Sequence, residues 1–200
     1  MSEIDADIRR AATLSSRYYT DPNLFEQLRA RFGENWCFAG HESEVNKNNI
    51  LPLAHVEGQT GEPMLLTKQR SDVSIISGVC THRGMILTDE PCQGKVIQCP
   101  YHGRTFGLDG SFRAMPGFED VEDFPTPKDD LAKFASESWN GFHFTTLSAT
   151  DFDGWFKPFA ERMAWWPGER EIVHDPSRHR DHTIDANWIA YVDNYLEGFH

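Results

Sequence analysis

The chain has 200 residues, 39% of them apolar and six of them Trp, which supports one generous domain, or one domain and part of another. A formal net charge of −12 argues against nucleic acid, whose phosphates need a basic surface. No apolar run approaches a membrane span, and the start Met-Ser-Glu-Ile-Asp-Ala-Asp has neither the basic nor the apolar stretch of a secretory signal.

Asp21-Pro22 suits a helix start, with Asp as cap and Pro in the first turn. Leu24, Phe25, Leu28 and Phe32 follow at helical spacing and Gly33 ends the run, so a short packing helix is expected. From Trp36 to Leu147 the pattern changes to short strands, with candidates over 50–56, 64–68 and 73–79. Turns are expected over 58–61 and 70–72, and a hairpin turn over 108–111. The acidic, Pro-bearing stretch 119–130 reads as a solvated loop, and residues 139–144 as a resumed strand. Beyond Thr150, Trp155, Phe156, Phe159, Met163, Trp165 and Trp166 suggest packing rather than a cofactor site. His174, His179 and His182 lie beside Arg178 and Arg180, whose charge disfavours a metal cation. In the tail, Ile189, Val192 and Leu196 are spaced for one buried helical stripe, while Asn194, Glu197 and His200 fall three apart on another face.

The chemistry concentrates in Cys80-Thr81-His82, then sixteen residues, then Cys99-Pro100-Tyr101-His102. Two Cys–His pairs match the needs of a Rieske-type 2Fe–2S cluster, in which one iron takes two thiolates and the other two imidazoles. Gly84 and Gly103 suit loops that fold tightly around an inorganic core. Zinc is the alternative for two Cys and two His, although a zinc finger usually draws its Cys pair and its His pair from separate elements. Four unrelated buried residues are the remaining alternative. Cys37 and Cys92 are left over and are expected to be free thiols, with a ligand role for Cys92 set aside.

The runs C-T-H-R-G (80–84) and C-P-Y-H-G (99–103) resemble the Rieske iron–sulfur family. That resemblance assigns Cys80 and Cys99 to one iron and His82 and His102 to the other. High-potential members carry two further cysteines, bridged over the cluster, where this chain has Met85 and Tyr101, so a low potential is expected. Arg104 stands where a Trp is common, and its charge is expected to favour the reduced form and to serve reductase docking.

The run from Asn194 to His200 is similar to the iron-site motif of Rieske non-haem iron oxygenases, α subunit. The resemblance makes His200 the first ligand of a mononuclear Fe(II), Glu197 the carboxylate bridging from a neighbouring subunit's cluster, and Asn194 a residue beside that iron. Glu at the bridging position, with the run N-Y-L-x-G-x-H, is similar to the choline and carnitine monooxygenase branch. The implied fold is α+β: an N-terminal helical segment (1–37), an all-β Rieske 2Fe–2S domain (38–148), and the truncated opening of an α+β helix-grip catalytic domain (149–200). Implied partners are an NAD(P)H-dependent flavin/iron–sulfur reductase or ferredoxin, O2, a small organic substrate and copies of the chain in a trimer, with no nucleic acid, no membrane and a cytoplasmic location. Implied chemistry is hydroxylation or N-demethylation. Because the motif ends at His200, the second His and the iron carboxylate are expected in a longer protein. The other reading is a Rieske ferredoxin-like electron carrier without catalysis of its own.

Overall fold

The computed structural model describes residues 4, 5, 7, 9–148, 151–166 and 172–196. Two helices come first, α1 (Arg17–Thr20) and α2 (Pro22–Ala30). Next are β1 (Cys37–His41), α3 (Glu42–Lys47), β2 (Ile50–Pro52), α4 (Ala54–Thr60), β3 (Met64–Gln69) and β4 (Asp72–Ser77). They are followed by β5 (Ile97–Gln98), β6 (Thr105–Phe106), β7 (Phe112–Ala114), β8 (Ala135–Trp139), β9 (Phe142–Thr146), α5 (Phe152–Arg162) and α6 (Trp188–Leu196). The chain divides into two compact units, Met1–Arg31 with Pro176–His200, and Phe32–Asp175. The mixture of helix and small sheets is α+β, as expected, but residues 38–148, expected to be all-β, also include α3 and α4, whose Val45 and Val56 complete a core against the sheet.

In the larger unit the strands form three antiparallel sheets, ordered β1-β9-β8, β2-β3-β4 and β5-β6-β7. The β3–β4 hairpin is the wall between two cores. Leu65 and Ile76 pack on one side with Phe106, Leu108 and Leu131, while Met64, Leu66 and Ile75 pack on the other with Val45, Leu53 and Val56. Successive side chains of a strand point to opposite faces, so a strand covered on both sides reads as a continuous apolar run. Met64 to Thr67 is such a run, and all four residues are buried.

The strand expected over 50–56 stops at Pro52. Leu53 and Val56, three apart, bring one apolar face down on the second core, and the chain coils into α4 until Gly61 caps it at φ 75°. The expected continuous strand over 139–144 is instead a hairpin corner. Asn140 (φ 49°) and Gly141 (φ 82°) reverse the chain between β8 and β9, the pair of positive φ values that a two-residue type I′ turn requires. Asp21 caps α2 as expected, accepting from the N–H groups of Asn23 and Leu24, and the helix ends at Ala30, ahead of Gly33. The aromatic stretch after Thr150 does pack: α5 sets Phe152 and Phe156 against Phe144, and Phe156 and Phe159 against Trp139.

In the smaller unit, Asn187 accepts from the N–H of Ile189 at the start of α6, and its amide donates to the carbonyls of Tyr18 and Tyr19. The Tyr19 hydroxyl donates to Asp193 at 2.7 Å.

A methyl group at Gly141 would sit 2.8 Å from His41 Nε2, on a backbone at φ 82°. Gly141→Ala is therefore expected to lower stability by at least about 1–2 kcal/mol, measured as a reduced denaturant midpoint.

Candidate functional site

β4 and β5 each deliver a loop from the sheets, and the two loops close with the same hydrogen bonds at the same spacing. In the first, the Cys80 N–H donates to the Met85 carbonyl (2.8 Å) and the Gly84 N–H to the Cys80 carbonyl (3.0 Å). In the second, the Cys99 N–H donates to the Arg104 carbonyl (2.7 Å) and the Gly103 N–H to the Cys99 carbonyl (3.0 Å). Each closure needs a left-handed residue, supplied by Gly84 at φ 67° and Gly103 at φ 77°.

This geometry turns the two thiols inward and leaves the two imidazoles outside. Cys80 and Cys99 are 2% and 3% exposed and belong to the core that contains Phe106. His82 is half-buried and His102 exposed, with ring centroids 5.0 Å apart at 67°. Burial first, and the facing Cys99 thiol as well, push the Cys80 thiol up, and a bound cation would favour the thiolate. Burial first, then the charges of His102, Arg83 and Arg104, hold His82 below its ordinary value, which favours the neutral imidazole that a metal needs.

Among the described residues no three His, Cys, Asp or Glu side chains gather as a single metal ion would require. A thiol pair and an imidazole pair suit a two-iron centre, with one pair for each iron, better than one tetrahedral zinc. The four residues singled out in the sequence thus fit a 2Fe–2S cluster.

Around them, Tyr101 stacks on His102 (3.7 Å between centroids) and Phe118 meets His82 edge-on at 6.1 Å. Cys92 pairs its backbone with Ile50 at the edge of the core, and all four cysteines are free. His174 lies 3.5 Å from Glu44, and His179 lies 2.9 Å from Asp181.

Two expectations need correction here. Arg104 is not a docking charge, because it is 3% exposed and its guanidinium is spent internally, on the Thr81 hydroxyl and the Asp129 carboxylate, each at 2.7 Å. The acidic stretch is not simply a solvated face, because Asp129 turns inward to make that pair and Phe124 lies 5.4 Å from the guanidinium. Charge run and proline content gave no sign of this pairing. Arg104 in place of an aromatic residue was the available signal.

Of the tail residues, Ile189 is buried but Val192 and Leu196 are exposed, so the expected buried stripe does not hold; Asn194 lies on α6 and is exposed, while Glu197 and His200 lie outside the described residues. Asp193, which receives the Tyr19 hydroxyl, was missed in the sequence, since its partner is 174 positions away.

The Rieske [2Fe-2S] domain family matches residues 35–125. Over 200 aligned residues the chain is 32% identical to the carnitine monooxygenase oxygenase subunit of Escherichia coli (strain K12), covering 98% of this chain and 52% of that protein. It is 27% identical to the chloroplastic choline monooxygenase of Amaranthus tricolor, covering 92% of this chain and 42% of that one. A solved quaternary ammonium Rieske monooxygenase, described as bearing on carnitine oxidation by gut microbiota and inter-subunit electron transfer, superposes with a TM-score of 0.66 at 29% identity, over 76% of this chain and 42% of that one. The chain spans about half the length of the curated carnitine monooxygenase subunits it matches. Among the described residues no helix is long and apolar enough to cross a membrane.

The Asp129 carboxyl is held below its ordinary value by the Thr126 N–H first and by Arg104 as well. A carboxyl lowered in the folded state stabilises the fold above its unfolded pKa of about 3.9, and that contribution is lost as pH falls through the folded value. Asp129→Asn should therefore lower the denaturant midpoint at pH 6 and lessen its decline between pH 4 and pH 2, as followed by tryptophan fluorescence in both proteins.

Proposed function

We propose that this chain, which belongs to the α subunits of the Rieske non-haem iron oxygenases, is the cluster-bearing part of an oxygenase acting on a quaternary ammonium compound. The observation that carries the reading is the pair of identically closed loops, which buries the two thiols in one core and sets the two imidazole rings 5.0 Å apart outside it. Cys80 and Cys99 would hold one iron, and His82 and His102 would hold the other. Their exposure differs in the useful direction: the thiolates anchor the cluster in the core, and the imidazoles form its outer edge, where an electron can leave.

When bound, the cluster supplies one-electron transfer, and a mononuclear iron completed by the rest of the protein supplies O2 activation. In the whole protein His200 would be the first ligand of that iron, Glu197 would be the carboxylate bridging from a neighbouring subunit's cluster, and Asn194 would lie beside the iron. This reading places residues 38–148 in the Rieske domain and residues 149–200 in the opening of the catalytic domain. It also implies an assembly that brings one subunit's His pair to another's Glu197, a trimer being the expected form. An NAD(P)H-dependent reductase or ferredoxin provides two electrons per turnover. With two protons and one O2, one oxygen atom enters the substrate and the other leaves as water. The substrate class is supported by the carnitine and choline monooxygenases among the relatives and by Glu197 at the bridging position. Cys37 and Cys92, the two thiols outside the cluster, are unbridged, which suits a reducing compartment, and we place the protein in the cytoplasm.

The test uses the full-length protein with a reductase, NADH and either carnitine or choline. O2 uptake coupled to product is expected, and Glu197→Gln should keep the visible spectrum of the cluster while slowing turnover by about 10–100-fold, as for other residues that orient metal ligands. Unchanged turnover in that variant would remove the bridging role. A loaded protein that oxidises NADH with neither substrate nor a related amine would remove the oxygenase reading in favour of an electron carrier.

A further inference from the structure

We propose that Arg104 is a positioning residue that clamps the two cluster loops together and, with Asp129, sets how readily the cluster is reduced; this rests on the cluster reading above. Arg104 holds the second loop through its main chain, where its carbonyl accepts the Cys99 N–H at 2.7 Å. It holds the first loop through its side chain, where Nη1 donates to Thr81 Oγ1 at 2.7 Å. Thr81 lies between Cys80 and His82, so one residue reaches both loops beside their ligands.

The clamp extends into the following loop. Nη2 donates to Asp129 Oδ1 at 2.7 Å, and Thr81 Oγ1 donates to the Asp129 carbonyl at 2.9 Å. The other carboxylate oxygen, Oδ2, accepts from the N–H and hydroxyl of Thr126 at 2.8 and 3.0 Å. The guanidinium carbon lies 5.1 Å from the centre of the Phe112 ring and 5.4 Å from that of Phe124, within reach of both aromatic rings.

Stability alone is a weak account of this arrangement. A buried ion pair is often matched or bettered by apolar groups of similar size, and here Arg104 Nε is buried without a partner. What an apolar side chain could not supply is the charge. Reduction adds one negative charge to the cluster, so a fixed cation beside its loops favours the reduced form and a fixed carboxylate opposes it. Burial removes most of the salt screening that weakens a surface charge. Arg104 and Asp129 therefore act in opposite directions while belonging to one structural unit.

The test is the midpoint potential of the cluster in the full-length protein, by spectroelectrochemical titration of the wild type, Arg104→Gln, Asp129→Asn and the double variant. Arg104→Gln should lower the reduction equilibrium by about threefold or more, and Asp129→Asn should raise it by a similar factor. Threefold is roughly 30 mV for one electron, from 59 mV per tenfold. The double variant should fall between the two. Opposite signs are the signature of charge, because mere loosening of the loops would move both variants the same way. Loaded variants at the wild-type potential, or shifted in one direction together, overturn the proposal. If Arg104→Gln fails to take up a cluster, Asp129→Asn decides alone, and an unshifted or lowered potential there overturns it. A wild type without a cluster would instead overturn the function proposed above, and this inference with it.

Discussion

The site depends on one repeated constraint, the closure of each loop by a Cys N–H bonded five residues ahead and a Gly N–H bonded back to the Cys carbonyl. Both main-chain groups of Cys80 and of Cys99 are consumed in this way, which fixes the backbone and aims the side chain into the core. The two loops space their histidines differently, at two and at three residues after the cysteine. Both loops are six residues long and close identically, so the imidazole simply sits one position later in the second, with His82 half-buried and His102 at the surface. The asymmetry of the site is therefore local: His102 occupies the loop position that Arg83 holds in the first loop, and Tyr101 the position of His82.

Rigidity reaches the loops from the β3–β4 wall. Leu65 and Ile76 share a core with Cys80, Cys99 and Phe106, so the inner side of the site is packed as part of the hydrophobic interior. The outer side is held by polar and aromatic contacts, with Arg104 at their centre. Such an arrangement suits a redox centre, because a site that changes little in geometry between oxidised and reduced forms exchanges electrons with little reorganisation.

The legible parts of the sequence were those encoded by short spacing. The tight loops at Gly84 and Gly103 were readable because each closure spans only five positions. The cap at Asp21 and the strands β3 and β4 were readable for the same reason. Residues 50–56 were misread because Leu53 and Val56 fit a strand run and a helical face equally well, and only the second core decides between them. Asn140-Gly141 carried a hairpin signal that the flanking aromatic residues obscured. Arg104 and Asp129 are 25 positions apart, and Tyr19 and Asp193 are 174 apart. No local pattern joins such pairs, and the fold alone brings them together.

The central claim is that these two loops bind two irons through different ligands. It is tested most directly by pulsed electron paramagnetic resonance on the reduced protein, prepared with and without 15N-labelled histidine, alongside iron and acid-labile sulfide analysis. The account predicts equal amounts of iron and sulfide at the cluster and two distinct histidine nitrogen couplings, one of which is lost in His82→Cys or His102→Cys. A protein containing zinc without sulfide, or a cluster with no histidine coupling, would contradict it.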